Sequence, residues 1–221
     1  MDDVAGSVDH TPLNRMGLGD AMFTMRSIRR LRPDPIPIDD LRLVLEAAVM
    51  APNGGNTQPA RFVLITDREM LGKVGELYRE AWWAKRRDQW GWRTIDDIPA
   101  TDKVARSAAR LADEIGGAPA IVFAYGRRAF PPELDASSVV PAVENLMLAA
   151  RALGIGSVPT TLHPEVMGRI DALLGVPDTA RLHLVIPLGY PVSATAFGTP
   201  RRRPTSETCF LDRWGGAVPW A

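Results

Sequence analysis

Apolar residues recur along this chain at two different spacings, which predict alternating helices and short strands. Spacings of three and four residues predict helices that start at Asp39 and Asp67 and others that cover about Thr101–Ile115, 136–153 and Pro164–Leu174. Short continuous apolar runs predict three strands, Phe62–Ile65, Pro119–Tyr125 and His183–Leu188. A further strand-like piece lies around Thr208–Leu211.

Three features of this pattern lead to more specific expectations. The first strand, Phe62–Ile65, is apolar throughout, as is typical of a buried central strand. Asp39 and Asp67 are of the residue type that caps helix N-termini. The helix over 136–153 has few charges on any side, which predicts that it is buried at the centre of the domain or against another subunit.

Between the first helix and the first strand lies a loop that follows neither spacing. Pro52 and Pro59 bracket it and discourage both helix and strand pairing. The adjacent Gly54 and Gly55 allow backbone angles closed to other residues. Uncharged donors and acceptors fill the rest, Asn53, Asn56, Thr57 and Gln58. Two interpretations stay open: an ordinary polar turn, or a loop that contacts the edge of a neutral heterocycle.

Residues 81–99 combine large aromatic side chains with many charges. Four of the six tryptophans of the chain lie here, Trp82, Trp83, Trp90 and Trp92. Such a segment is either a flap over a pocket or a surface that packs on a partner. Tryptophans folded under a local helix pair are an equally good interpretation.

The overall composition narrows the class of protein. At 221 residues the chain fits a tail over 1–20 followed by one large domain over 21–221. Its 26 basic and 26 acidic residues give a formal net charge of zero, which argues against a general nucleic-acid binder. No apolar run approaches the roughly 18 residues that span a membrane, and the first 20 residues lack the apolar segment of a secretory signal. A single cysteine, Cys209, leaves no internal disulfide or cysteine-based metal cluster, so we expect a cytoplasmic protein.

Two arginine clusters lie near opposite ends of the chain. Arg26, Arg29, Arg30 and Arg32 surround Ser27, and Arg201, Arg202 and Arg203 follow near the C-terminus. Each cluster is either a solvated basic turn or part of a phosphate site, because guanidinium groups bind phosphate oxygens in pairs. Gly154 and Gly156 do not form a dinucleotide fingerprint, since the third glycine is missing and the segment follows a helix.

Taken together, these segments resemble the nitroreductase family of FMN-dependent NAD(P)H oxidoreductases. The resemblance runs from about Arg26 to Gly215 and rests on the order and spacing of five motifs, Arg26–Leu31, Ala51–Pro59, Gly154–Ser157, Leu188–Pro191 and Arg203-Pro204 with Asp212–Trp214 beyond. It implies an α+β fold in which helices surround a mostly antiparallel central sheet. It also implies an intertwined homodimer with tightly bound FMN in two interface pockets, with NAD(P)H as co-substrate.

The resemblance also implies roles for individual residues. Arg26, Ser27 and Arg29 would hold the FMN phosphate and ribityl chain, and Arg201 and Arg203 would reach the phosphate from the C-terminal side. The flavin contacts from the neighbouring subunit would come from Pro52, Asn53, Gly54 and Asn56, with Gln58 beside them. Pro159, Thr160 and Thr161, with the backbone amide of Leu162, would face the flavin ring near N5. No side chain is expected to be catalytic and no metal is expected, since the flavin carries the hydride.

Some residues depart from the family pattern. Ala60 stands where many members have an aromatic residue, and Thr160-Thr161-Leu162-His163 stands where some have an acidic residue and glycine. These changes bear on the choice of substrate. In such a family we also expect the variable, Trp-rich segment over 81–99 to lie near the mouth of the flavin pocket and to shape the choice of acceptor. We expect ping-pong reduction of a nitroaromatic, quinone or similar conjugated acceptor, with no nucleic acid and no membrane as partner. The alternatives are a specialised flavin enzyme, for reductive dehalogenation or flavin fragmentation, and a non-catalytic flavin-binding or sensor protein. His163 is either a substrate-facing proton donor or a structural histidine.

Overall fold

The computed structural model describes residues 9–128, 131–161, 164–193 and 195–220. Its α-helices are α1 (Leu18–Thr24), α2 (Ile38–Val49), α3 (Arg68–Trp90), α4 (Lys103–Glu114), α5 (Pro132–Ala152), α6 (Pro164–Leu174) and α7 (Thr205–Thr208). Its strands are β1 (Arg61–Ile65), β2 (Ala120–Arg127), β3 (Gly156–Ser157) and β4 (Ala180–Gly189). Within these described ranges, no helix is long and apolar enough to cross a membrane.

The four strands form one antiparallel sheet in the order β1-β2-β4-β3. β2 is central: its Phe123 lies opposite Val63 of β1 on one side and Val185 of β4 on the other. A register shift between Ala124 and Tyr125 interrupts the pairing of β2 with β4. The predicted α+β fold with an antiparallel sheet among helices is therefore confirmed.

Strand β2 supplies side chains to two separate cores, because successive residues of a strand point to opposite faces of the sheet. Ala120, Val122 and Ala124 join one core, which α2 and α5 cover. Ile121, Phe123 and Tyr125 join the other, which α3, α4 and α6 cover. Both faces of β2 are thus buried, which explains its uninterrupted apolar run.

A chain segment before α2 extends the sheet edge beyond β3 and β4. The Ile28 amide donates to the Ser157 carbonyl at 2.9 Å, and Leu31 forms an antiparallel bridge with Pro191. This close approach requires glycine in the sheet, since a Cβ on Gly156 would lie 2.8 Å from the Ile28 side chain. The packing fixes the backbone around Arg29 against the residues that follow β3.

Helix α3 extends three turns further than its apolar pattern predicts. Its start was predicted correctly, because the Asp67 carboxylate accepts from the Met70 amide at 2.8 Å. The charged residues after Ala81 still favour helix, and the helix ends at Gly91, which has a left-handed φ of 74°. Trp82, Trp83 and Trp90 therefore lie on a helix.

Three local expectations were wrong. β1 lies at the edge of the sheet and, among the described residues, pairs with β2 alone. An apolar run does not distinguish a central strand from an edge strand whose two faces are covered. Asp39 lies inside the first turn of α2, where Pro37 is the N-cap, since proline fits the start of a helix. The piece around Thr208–Leu211 forms no strand, since Thr208 ends α7 and the following residues are exposed and irregular.

Two glycines in α3 give a matched stability test. An added Cβ at Gly75 would lie 2.6 Å from the Gly116 Cα, whereas one at Gly72 would meet nothing within 4 Å. We expect Gly75→Ala to lower the free energy of unfolding by about 1–3 kcal/mol through overpacking. Gly72→Ala should raise it by about 0.5–1 kcal/mol, because alanine favours helix. Urea unfolding measures both, and equal midpoints for the two variants would contradict this packing.

Candidate functional site

A cavity of about 310 Å³ lies between helices α3 and α4 and the segment that follows β3. Arg29 lines it from the sheet edge, and Ala108 and Leu111 line it from α4. One face of α3 and residues 158–161 complete the lining. The cavity thus joins elements that are up to 132 residues apart in sequence, from Arg29 to Thr161.

The face of α3 toward the cavity changes from buried and apolar to cationic along its length. The lining residues follow helical spacing, Tyr78, Ala81, Trp82, Lys85 and Arg86. Tyr78 and Ala81 are buried, Trp82 and Arg86 are half-buried, and Lys85 is exposed. On this helix, the face at the base of the cavity is therefore apolar apart from the Tyr78 hydroxyl, and the face at its mouth is positively charged.

A pair of hydroxyl groups lies at the base of the cavity. The Tyr78 Oη and the Thr160 Oγ1 are 2.7 Å apart. Thr160 is itself fixed to β4, because its amide and carbonyl bond the Val185 carbonyl and amide, each at 2.8 Å. Burial raises the pKa of Tyr78, against the opposing effects of the Thr160 hydrogen bond and of the charges of Arg29 and Arg86. Tyr78 therefore stays protonated at neutral pH and holds the Thr160 hydroxyl in place.

The tryptophans of residues 81–99 differ in their relation to the cavity. Trp82 lines the cavity, and the Arg86 guanidinium lies 4.9 Å from the ring centroids of both Trp82 and Trp90. Trp83 instead donates its indole N–H to an Asp113 carboxylate oxygen of α4 at 2.9 Å. Among the four, only Trp82 is therefore positioned to contact a molecule in this cavity.

Hydrogen bonds within the loop over 52–59 and to α5 hold this loop in place, and two of its residues have unusual backbone angles. The Asn53 Oδ1 accepts from the Gln58 amide at 2.8 Å, and the Gly54 amide donates to Ser138 of α5 at 3.4 Å. Asn56 and Gln58 have positive φ values of 52° and 48°, which are uncommon outside glycine. Such conformations concentrate at ligand-binding sites. No residue of this loop lines the cavity of its own chain.

The second arginine cluster begins beside the first. The Gly198 amide donates to the Thr24 carbonyl at 3.1 Å. Thr24 lies two residues before Arg26, and Gly198 lies three residues before Arg201. Arg201, Arg202 and Arg203 are exposed. The two clusters thus start from adjacent points on the surface, as the phosphate-site interpretation requires.

The cavity brings together only part of the predicted site. Arg29, Pro159, Thr160 and Thr161 line it, whereas Leu162 and His163 lie outside the described residues. Arg26 and Ser27 precede the lining, and the residues of the 52–59 loop and the C-terminal arginines lie outside it. No group of three or more His, Cys, Asp or Glu side chains in the described ranges could hold a metal ion.

Sequence reasoning assigned no individual role to the polar lining residues Tyr78, Lys85 and Arg86, although the last two fall within the segment over 81–99 that was expected near the pocket. A detectable signal was present, because Tyr78, Trp82 and Lys85 follow one another at i, i+4 and i+7. The signal becomes useful only once the helix is known to continue past Tyr78.

The fold is that of a class of proteins in which helices surround an antiparallel sheet. The model of the nitroreductase family matches residues 24–190. The chain belongs to the nitroreductase family.

Individual relatives fall into two groups. An NADH dehydrogenase of Thermus thermophilus is 31% identical over 207 residues, which cover 87% of this chain and 94% of the relative. An iodotyrosine deiodinase of Thermotoga neapolitana is 25% identical over 180 residues, which cover 75% of this chain and 84% of the relative.

Solved structures of similar fold also include both a deiodinase and a nitroreductase. A structure of oxidised iodotyrosine deiodinase bound to FMN and 3-iodo-L-tyrosine superimposes with a TM-score of 0.68 at 25% identity, covering 85% of this chain and 96% of the other. An FMN-dependent nitroreductase of Mycobacterium smegmatis in complex with NADPH superimposes with a TM-score of 0.67 at 23% identity, covering 92% and 99%. The chain is thus similar in fold to proteins with either activity.

Proposed function

We propose that this protein is an FMN-dependent oxidoreductase that transfers hydride from NAD(P)H to a nitroaromatic, quinone or similar conjugated acceptor. The observation that carries this proposal is the meeting of Arg29 with Pro159, Thr160 and Thr161 in one cavity. Two segments to which the resemblance gives a role in flavin binding, 130 residues apart, supply these residues. The similarity to proteins with bound FMN supports the same reading.

The residues present fit FMN by the chemistry of their donors. A phosphate needs cations and hydroxyl donors, which Arg26, Ser27 and the adjacent C-terminal arginines offer. A flavin ring needs an apolar slot with a few polar groups, which the base of the cavity offers through Tyr78 and Thr160. When bound, FMN supplies the hydride-carrying group, which no side chain of this chain could supply.

The roles of the lining residues follow from their chemistry. Arg29 places a positive charge inside the cavity, where it would stabilise negative charge that builds up during hydride transfer. The protonated Tyr78 fixes the Thr160 hydroxyl, so that this hydroxyl and the backbone N–H groups of Thr161 and Leu162 would offer donors at N5. Trp82 gives a flat apolar surface on which an aromatic acceptor can stack.

We also infer that the site is completed in a homodimer. The loop residues Pro52, Asn53, Gly54, Asn56 and Gln58 do not line the cavity of their own chain, so they would act on the cavity of a partner subunit. The C-terminal segment carries exposed apolar side chains that suit an interface, such as Trp214 at 91% exposure and Leu211 at 45%. Arg201 and Arg203 lie on this same segment and would reach the phosphate from it.

Reductive dehalogenation is the second candidate, favoured by the deiodinase relatives. The described cavity lining argues against an amino-acid substrate such as 3-iodo-L-tyrosine, because it contains Arg29, Lys85 and Arg86 and no carboxylate to bind an ammonium group. Anaerobic assays with dithionite-reduced protein and 3-iodo-L-tyrosine separate the two, since iodide release would favour dehalogenation.

The central experiment is the anaerobic addition of NADPH or NADH to the purified protein. We expect a yellow protein with about one FMN per chain, whose flavin band near 450 nm bleaches and returns when a nitroaromatic or quinone is added. A colourless protein that takes up no FMN on titration would refute the cofactor assignment. A yellow protein that never bleaches would be a flavin binder without this activity.

The arginine clusters give a second test. Arg26→Ala and Arg203→Ala should each weaken FMN binding by roughly ten- to a hundredfold, since a lost charge-assisted phosphate contact costs on the order of 1.5–3 kcal/mol. Arg30→Ala is the matched control, because Arg30 is exposed and lies outside the cavity lining. Fluorescence titration of apoprotein with FMN measures all three. Equal losses in the three variants would mean that the clusters are solvated surface.

The tryptophans give a third test. Trp82→Ala should change kcat/KM for aromatic acceptors by about two- to tenfold, as expected for the loss of a stacking surface worth about 0.5–1.5 kcal/mol. Trp92→Ala serves as the control, since Trp92 lies outside the cavity lining. FMN content should stay constant in both. Unchanged acceptor kinetics in Trp82→Ala, or loss of flavin together with solubility, would show that this tryptophan is structural.

A further inference from the structure

The cavity contains more positive charge than the rest of this neutral chain leads one to expect. Arg29, Lys85 and Arg86 line it, and no acidic side chain is among its described lining residues. Within the described ranges, none of these three cations forms an ion pair with a carboxylate. Other cations of α3 are paired, for example Lys73 with Glu69 at 2.6 Å and Arg79 with Asp113 at 2.9 Å. A concave site lined by unpaired cations attracts anions.

Arg29 is already assigned to the cofactor, so Lys85 and Arg86 remain for another ligand. They lie seven and eight residues beyond Tyr78 on the same helix face, about 10–12 Å along the helix axis. Trp82 lies between them and the base of the cavity. A flat ring placed against Trp82 would therefore have its reducible group toward Thr160 and its other end toward the two cations.

Arg86 is held in place before any ligand binds. Its guanidinium lies between the Trp82 and Trp90 rings, 4.9 Å from each centroid, and one of its nitrogens donates to the Gln89 side chain at 3.1 Å. Ordering a long side chain in advance lowers the entropy cost of binding. Lys85 is exposed and adds charge at the mouth without such fixation.

We propose that Lys85 and Arg86 bind a carboxylate on the acceptor, so that the preferred acceptors are flat aromatic acids that carry the carboxylate opposite the reducible group. This inference rests on the proposed function. With the flavin ring at the base of the cavity, the acceptor would lie beyond it along Trp82, and a benzene ring with substituents on opposite sides, plus a hydrogen bond of about 3 Å at its anionic end, is long enough to reach the two cations from there. An amino acid fits less well, because its ammonium group would face the same cations.

Equilibrium binding tests this without turnover. The oxidised protein as purified is titrated with 4-nitrobenzoate and with the neutral, nearly isosteric 4-nitrobenzamide, and tryptophan fluorescence is recorded. We expect the wild-type protein to bind the acid about tenfold more tightly than the amide, with a preference that falls as salt is raised. Lys85→Gln and Arg86→Gln should each reduce the preference several-fold, whereas Arg86→Lys should keep most of it.

Arg87→Gln is the matched control, because Arg87 is the next cation on α3, is paired with Asp88 at 2.8 Å and lies outside the cavity lining. It should leave the preference for the acid unchanged. Equal wild-type affinities for the two ligands, or variants that weaken both ligands alike, would overturn the proposal.

Two further measurements test whether Lys85 and Arg86 bind a different anionic ligand, either the phosphates of NAD(P)H or FMN. If Lys85→Gln and Arg86→Gln raise the KM for NADPH or NADH and leave the acid preference intact, the cations serve nucleotide phosphates and the proposal is wrong. If the variants lose FMN, the cations belong to the cofactor site and the proposal is likewise wrong. A protein that prefers the acid but is not reduced by NAD(P)H would refute the proposed function and leave this inference standing.

Discussion

Backbone pairing to strand β4 is the interaction on which the rest of the structure depends. β4 pairs with β2 along most of its length, with β3 at its end, and with Thr160 through Val185. Immediately beyond β4, the carbonyl of Tyr190 accepts from the Arg32 amide at 2.7 Å, which holds the arginine-containing segment at the same sheet edge. One strand thus fixes the backbone on both sides of the cavity, so that Arg29 and Thr160 meet although they are far apart in sequence. The glycines at 156 and 189 make this possible, since a Cβ on either would collide with Ile28 or Leu31.

Helix α3 gives the site the features that distinguish this chain. Its inner half is a core element, with Leu71 and Val74 fully buried, and its outer half carries Trp82, Lys85 and Arg86 along the cavity. The same helix therefore both stabilises the fold and shapes the space in which a second substrate would bind. The outer half makes fewer core contacts, so substitutions there should change the cavity without loss of the sheet.

Much of the fold follows from local patterns, and the missing parts have physical reasons. The predicted strands and most helix boundaries agree with the structure because β2 and β4 bury most of the apolar side chains they carry and α5 buries a regular stripe of them, such as Val139, Val143 and Leu146. The edge position of β1 could not be predicted from its apolar run, because the side chains of β1 pack into both cores although the strand lies at the edge of the sheet. The end of α3 was missed because charged residues hide the helical periodicity after Ala81, and the Tyr78–Thr160 contact joins residues 82 positions apart. In the site, the resemblance identified Arg29 and Pro159–Thr161, whereas the cations at 85 and 86 required the three-dimensional face of the helix.

The crystal structure of the protein grown with FMN and 4-nitrobenzoate tests the account most directly. We expect the flavin ring to lie between Arg29 and the Thr160–Thr161 segment, in contact with loop residues 52–58 of a partner subunit. We expect the carboxylate of 4-nitrobenzoate to lie within hydrogen-bonding distance of Lys85 or Arg86. Electron density for FMN away from Arg29 and Thr160, or a carboxylate directed away from α3, would contradict it.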